Sequence, residues 1–341
     1  MNILVTLQEG KTRDIHFPGF VVRRLEELGS VRFNDTGRPF SEEKLGEEAA
    51  DVDIAVTHWG CPCFTQAVLQ NAPGLKMIAH AAGSVADLCS PAVFDKKIKV
   101  TSANDVMALH VAEGALAYIL ASLRQIPKAD RLMKNNVQWP KEDLIRAETI
   151  RNKKVSFIGL GITGRSLLHL LAPFGISAAV YDPYVSETQL ASENFLDVQL
   201  MDLDRALAYG DVISVHASLT PETKGLLGAE ELAKIRDGCL LVNTARGAII
   251  NEKALIAELQ TGRISAVLDV YDPEPPSLDN PMRSMENVIL MPHMAGITAR
   301  ADMTIAMIDE IERFRDGQPL KYEITRGRFE KMTMHHLVRG L

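Results

Sequence analysis

Between residues 155 and 293 the chain alternates short, unbroken apolar runs with stretches whose apolar residues recur every three or four positions. The runs "VSFIG", "AAVYD", "DVISVH", "CLLVNTA", "SAVLDVY" and "NVILMPH" have the apolar character of strands covered on both faces. They predict a parallel sheet with helices packed above and below it. The first hundred residues keep this rhythm: "NILVTL" (2–7), "VDIAVTH" (52–58) and "KMIAHAA" (76–82) read as strands, "GFVVRRLEELG" and "SEEKLGEEAA" as helices. Two longer helical segments remain. "NDVMALHVAEGALAYILASLRQI" (104–126) opens on Asn and Asp, which favour helix starts, and would carry the chain from a first domain into a second. "TARADMTIAMIDEIERFRDG" (298–317) would carry it back. The prediction is an α/β chain of two doubly wound parallel-sheet domains, 104–297 inserted into a discontinuous domain of 1–103 plus 298–341. Two crossings would make a hinge, and a cleft there could close and exclude water from a charged reaction.

The first strand of the larger domain runs into "GLGITGR". Gly159, Gly161 and Gly164 form G-x-G-x-x-G: the first permits a tight turn, the second lets backbone approach a pyrophosphate, and the third lets helix and strand pack closely. The helix starting there would turn free N–H groups and its positive dipole end toward phosphate. Asp182 closes the next strand about 18 residues past Gly164, the place from which a carboxylate accepts hydrogen bonds from adenosine ribose hydroxyls. A 2′-phosphate would meet that charge and find no cation in "PYVSET" (183–188), so the expected cofactor is NAD. The first hundred residues have no such motif, so the smaller domain is expected to bind something else.

With 341 residues, 46% hydrophobic and 24% charged, the chain is long enough for two cores. A net charge of −7 argues against a nucleic-acid or anionic-membrane partner. The locally basic "TRGRFEKMTMHHLVRGL" (325–341) reads as a solvated or subunit-docking tail. The sequence shows no basic-then-apolar leader and no spanning run of about 18 apolar residues, so a soluble, cytoplasmic protein is expected. Cys61, Cys63, Cys89 and Cys239 suit neither a disulfide framework nor, despite "CPC", a metal site. Packing or pocket-lining thiols are expected, and no metal.

Ligands of open α/β sheets bind beyond the carboxyl ends of the strands, where this chain carries His80, Asp182, His216, Arg246, Asp269 and His293. Singly, each could merely satisfy loop backbone. Together they meet the needs of hydride transfer to a 2-oxo acid: a guanidinium for the carboxylate, a proton donor for the carbonyl oxygen, and a carboxylate to orient that donor. Arg246 in "NTARGAIIN" suits the first, although an Arg-Gly after a strand can also cap a helix. His293 in "MPHMAG" suits the second, with Glu274 in "YDPEPP" its obvious partner unless that is only a solvated loop charge.

"GLGITGR", "YDPY", "HASLTPETKGLLG", "LLVNTARGAIINEKALIAEL", "AVLDVYDPEPP" and "VILMPHMAG", in this order, make the chain resemble the D-isomer-specific 2-hydroxyacid dehydrogenases, over roughly residues 50–317 and most densely over 155–297. The resemblance implies a Rossmann NAD-binding domain inserted into a flavodoxin-like substrate domain. It also implies an NAD-dependent enzyme, similar to phosphoglycerate dehydrogenases or glyoxylate/hydroxypyruvate reductases, that interconverts a 2-oxo acid and a D-2-hydroxy acid. By the same resemblance Arg246 would bind the substrate carboxylate and polarise the carbonyl, His293 would be acid and base, and Glu274 would hold the imidazole and favour its cation. Asp269 would bond the nicotinamide carboxamide beside the backbone of Thr244 and Ala245, Ile162 and Thr163 would offer N–H groups to the pyrophosphate, and His216 and His293 would lie against the cofactor. Ala82 and Gly83, with Ser84 beside them in "HAAGSV", would give backbone N–H groups to the substrate carboxylate.

Departures from the family pattern shape the substrate expectation. "GSVADL" replaces a common Asp-containing turn, and a proline frequent after His216 is absent from "HASL". "THWGCPC" (57–63) lies where the substrate side chain is expected; the neighbourhood that supplies an Arg for phosphate in phosphoglycerate dehydrogenases offers Trp59, Cys61 and Cys63. A non-phosphorylated substrate with an uncharged or apolar side chain is therefore expected, with Trp59 either against it or in the domain core. Glu274 stands where related formate dehydrogenases use Gln. Phosphite dehydrogenases and NAD(H)-sensing corepressors, which also resemble this family, are the two rival readings. Family members usually dimerise through the nucleotide domain, so a homodimer is expected, with 127–140 as an arm.

Overall fold

The computed structural model describes residues 1–135, 139, 145–195, 197–330 and 332. The chain divides into two compact units, Met1–Met107 with Ile297–Leu341, and Ala108–Gly296.

The first unit begins with β1 (Asn2–Gln8), α1 (Lys11–His16), α2 (Gly19–Glu26), β2 (Ser30–Asn34), α3 (Glu42–Glu48), β3 (Ile54–Thr57), α4 (Gln66–Asn71), β4 (Met77–His80), α5 (Pro91–Asp95) and β5 (Lys99–Ser102). Its five strands are all parallel, in the order β2-β1-β3-β4-β5. Side chains alternate across the sheet: Ile3, Val5, Val56 and Met77 enter one core, Leu4, Ala55, Ile78 and Val100 the other. The order reverses between β1 and β3, so the loops after these strands diverge and open a crevice for a ligand.

Then come α6 (Asn104–Leu123), α7 (Ile126–Lys134), β6 (Lys154–Ile158), α8 (Ile162–Leu171), β7 (Ser177–Tyr181), α9 (Glu187–Ser192) and β8 (Gln199–Leu200). After these follow α10 (Leu203–Tyr209), β9 (Val212–Val215), α11 (Ala229–Lys234), β10 (Leu240–Asn243), α12 (Glu252–Gln260), β11 (Ser265–Leu268) and β12 (Val288–Leu290). The sheet of the second unit has seven parallel strands, β12-β11-β10-β9-β6-β7-β8. The last helices, α13 (Arg300–Arg315) and α14 (Arg326–Phe329), belong to the first unit. There Met303, Met307, Ile308 and Ile311 of α13 close the core that holds Ile3, Val21, Leu25 and Met77.

Both parallel sheets follow the apolar runs, but three strands lacked that signal. β2 is an edge strand of alternating burial, β5 ends in Thr101 and Ser102, and β8 has two residues. The helix expected over 104–126 stops at Leu123: Gln125 turns left-handed (φ 53°) and Pro127 sits in the first turn of α7, where its missing N–H goes unneeded. Contrary to the reading of no spanning run, α6 is long and apolar enough to cross a membrane by length and composition. Its Ala112, Ala115 and Ile119 enter the core of the second unit with Phe157 and Leu167, as a core helix does. The expected arm (127–140) and the basic tail (325–341) fall partly outside the described residues.

Candidate active site

The glycine turn after β6 is built by close approach. Gly159 has φ 89°, and a Cβ there would come within 2.6 Å of the Ala217 nitrogen. A Cβ on Gly164 would meet the Gly159 carbonyl oxygen at 3.1 Å, whereas one on Gly161 would meet nothing within 4 Å. The turn is therefore packed on the protein side and open where a pyrophosphate would lie over Ile162 and Thr163, the first residues of α8. Asp182, just past β7, is fixed by the backbone: Leu160 N–H donates to Oδ2 (2.8 Å) and Tyr184 N–H to Oδ1 (2.9 Å). Each oxygen keeps a lone pair for a ribose hydroxyl. Arg165 braces the same turn by donating to the Leu160 carbonyl and pairing with Glu193 at 2.6 Å.

Across the turn, His216 bonds Ser214 Oγ through Nε2 (2.8 Å) and stacks on Phe157. Burial pulls its pKa down to about 4, so it presents a neutral ring. Thr244, after β10, has a buried Oγ1 with no partner. A buried hydroxyl without a partner costs about 1–3 kcal/mol, and a nicotinamide carboxamide would relieve that cost. An open glycine turn, a fixed carboxylate and an orphaned hydroxyl fit NAD.

The chemical groups sit on three loops of the same unit. Arg246 leaves the turn after β10, whose shape Asn243 sets by accepting from Ala245 N–H (3.0 Å) and donating to the Arg246 carbonyl (3.0 Å). Burial lowers the Arg246 pKa while the charge of Glu274 raises it, so this guanidinium lies in the field of that carboxylate. Glu274 Oε1 meets His293 Nδ1 at 2.5 Å. His293 holds a left-handed backbone (φ 51°), a conformation costing about 1–3 kcal/mol in a non-glycine residue.

Asp269 holds the His293 loop in that shape. Its Oδ1 accepts from Met294 N–H (2.8 Å) and the Tyr118 hydroxyl (3.2 Å), and Oδ2 accepts from Ala295 N–H (3.0 Å). It is 1% exposed. Asp269 thus stands as a buried support of the histidine loop, a role that the sequence did not suggest. Tyr118 was missed; the only signal was a phenol in an otherwise aliphatic stretch of α6. Burial and the charge of Asp269 both push the Tyr118 pKa up, so the phenol stays a donor.

In the first unit, Ala82, Gly83 and Ser84 follow β4. The Ser102 hydroxyl lies against the carbonyls of Ala82 and Gly83, and Ser84 Oγ accepts from Ala86 N–H (3.2 Å). His80 Nδ1 bonds Thr57 Oγ1 (2.9 Å), and burial drives its pKa down to about 3. His58 is buried with neither ring nitrogen partnered, and His16, 4.3 Å away between ring centroids, has an orphaned Nδ1. Burial, then the charge of Arg300, lowers His16 to about 4, and burial lowers His58 strongly. Trp59 does not fill the core: it is 52% exposed and meets His16 edge-on. Cys61 and Cys239 are pushed up to about 12 by burial and Cys89 higher still, so these thiols stay protonated. Among the described residues no three His, Cys, Asp or Glu side chains are grouped to hold a metal.

A family model described as "D-isomer specific 2-hydroxyacid dehydrogenase, NAD binding domain" matches residues 116–295. The D-3-phosphoglycerate dehydrogenase of Archaeoglobus fulgidus is 36% identical over 257 residues, 74% of this chain and 48% of that protein. The chain thus spans about half the length of the phosphoglycerate dehydrogenases it matches. The hydroxypyruvate reductase of Thermotoga maritima is 31% identical over 275 residues, 80% of this chain and 87% of that one. The solved TT0316 protein of Thermus thermophilus superposes with a TM-score of 0.77 at 25% identity, over 95% of this chain and 100% of that one. The chain belongs to the D-isomer specific 2-hydroxyacid dehydrogenase family, with its NAD-binding domain in residues 116–295.

Proposed function

We propose that the chain is an NAD-dependent oxidoreductase that interconverts a 2-oxo acid and a D-2-hydroxy acid whose side chain carries no phosphate. The observation that carries this reading is the Glu274–His293 pair at 2.5 Å, with Arg246 in the field of the same carboxylate. When bound, the nicotinamide supplies or accepts the hydride. Glu274 holds the Nδ1 proton, which fixes the tautomer and leaves Nε2 as the nitrogen that gives a proton to the carbonyl oxygen, or takes one from the hydroxyl in the reverse direction. The guanidinium of Arg246 binds the substrate carboxylate and draws charge toward the reacting oxygen. In the first unit, the loop Ala82–Ser84 has backbone N–H groups suited to a carboxylate.

The unphosphorylated substrate is supported by the first unit. A phosphate dianion needs cationic partners, and 57–63 contains none. The imidazoles of His16, His58 and His80 are held neutral by burial. The charge of Arg300 also reaches His16. Asp182, without a neighbouring cation in 183–188, supports NAD over NADP. Exposed Leu109, Ile126 and Met133 on α6 and α7 support a homodimer, which light scattering would check.

The test is NADH oxidation with glyoxylate, hydroxypyruvate, pyruvate, phenylpyruvate, 2-oxoisocaproate and phosphohydroxypyruvate, repeated with NADPH and with Arg246→Ala. Turnover of an unphosphorylated acid with NADH, lost in Arg246→Ala, is expected. Preference for phosphohydroxypyruvate would overturn the substrate class. No turnover by folded, NADH-binding protein would overturn the reductase reading and turn attention to phosphite oxidation and to nucleotide sensing.

A further inference from the structure

Glu274 lies in a segment, 271–279, that contains neither helix nor strand, so its position depends on side-chain tethers. At the far end, Arg283 donates to the carbonyls of Ser277 (2.8 Å) and Pro276 (3.0 Å). The near end rests on the turn that carries Arg246: a Cβ on Gly247 would run into the carbonyl group of Tyr271. Between these ends stands Glu252, the first residue of α12, six positions past Arg246. Its Oε1 accepts from Asn280 Nδ2 at 3.0 Å, and its carboxylate faces the backbone N–H of Asp272. Asn280 is buried, and its Oδ1 accepts from Met282 N–H (3.0 Å). A water-sized cavity lined by Asn243, Gly247, Glu252, Tyr271 and Asp272 lies beside this contact.

A surface glutamate at a helix start would ordinarily be solvated and interact with the helix dipole alone. This one is partly withdrawn from water next to a second carboxylate, and burial and the charge of Asp272 both raise its pKa. Such a placement costs stability unless the hydrogen bonds it makes are used. Asn243 sets the Arg246 turn and Asp269 sets the His293 loop. We infer that Glu252 and Asn280 form the third bracket, a clasp that fixes the Glu274 segment against the Arg246 turn and so sets the Glu274–His293 contact. Glu252 is a positioning residue in this scheme, acting through Glu274. The inference rests on reading the Glu274–His293 pair as the proton-transfer pair.

The experiment compares wild type, Glu252→Ala, Asn280→Asp, the double exchange Glu252→Gln with Asn280→Asp, and Glu274→Ala. In the double exchange, the introduced amide donates to the introduced carboxylate and keeps its own oxygen for Asp272 N–H, so the clasp is rebuilt with donor and acceptor reversed. Two readouts are taken: the His293 imidazole NMR signal, identified by its loss in His293→Asn, and the split of kcat and KM. In Glu252→Ala the signal is expected to move toward its position in Glu274→Ala, with kcat down about 10- to 100-fold and KM for NADH within about twofold. The double exchange is expected to return both toward wild type. An unmoved His293 signal in Glu252→Ala, or a double exchange no better than Asn280→Asp alone, would overturn the clasp. If wild type turns over none of the acids, the reductase reading fails by itself, and the NMR comparison still decides the clasp.

Discussion

Arg246 has a partly buried guanidinium whose neighbouring carboxylate, Glu274, is already committed to His293. It is therefore available to a ligand carboxylate, and Arg246→Ala should lower kcat/KM by about 10²- to 10³-fold while NADH binding, read by fluorescence, stays near wild type. His293→Ala should cost about 10²–10⁴ in kcat, the usual worth of a general acid. His58 gives a contrasting expectation. Both of its ring nitrogens are buried without partners, so exchange for an apolar residue of similar size removes a desolvation cost. His58→Leu should leave the thermal midpoint unchanged or raise it; a marked fall would show that the imidazole has partners in solution. Arg246, Glu274 and His293 were legible in the sequence because charged and titratable residues at strand ends are conspicuous among apolar runs. Tyr118 and Asn280 were not: no periodicity links a phenol in α6 to Asp269, or Asn280 to Glu252, and only the fold brings them together.

The turn after β10 shows how one element joins two functions. Gly247 packs on the backbone of Tyr271, which cannot move aside cheaply as the end of a side chain can. Gly247→Ala should therefore separate the Arg246 turn from the Glu274 segment. It should cost about 3 kcal/mol, seen as a lower urea midpoint, together with a loss of kcat beyond the loss of stability. Element boundaries were less legible than element types. The unbroken apolar runs marked the central strands of both sheets well enough for fold class, because a strand covered on both faces has no polar positions to spare. Edge strands escape this rule: β2 alternates between exposed and half-buried residues, and β8 is too short to have a pattern.

At the scale of the molecule, buried neutral histidines give stability a pH dependence with a definite sign. His16 and His216 are lowered to about 4 and His80 to about 3, against 6.5 in the unfolded chain. Below pH 6.5 the unfolded state binds protons that the folded state refuses, so their contribution is complete above about pH 6.5 and is lost as pH falls through 6 and 5 toward 4. Calorimetry from pH 7.5 to 4.5 should show the thermal midpoint falling over this range, and His80→Gln should flatten the fall. A slope unchanged in that variant would place the acid sensitivity elsewhere.

The closing of the first core by α13 has a consequence for synthesis. The strands of that sheet leave the ribosome early, yet Met303, Met307, Ile308 and Ile311, which cover one of its faces, follow roughly 200 residues after Met107. At about 5–20 residues per second the nascent sheet waits on the order of 10–40 s with an apolar face uncovered. The second unit, made from one continuous stretch, can fold during that interval. The discontinuous unit therefore finishes last although it starts first, and a translating chain is most exposed to aggregation, and most in need of chaperone cover, until residue 311 has emerged.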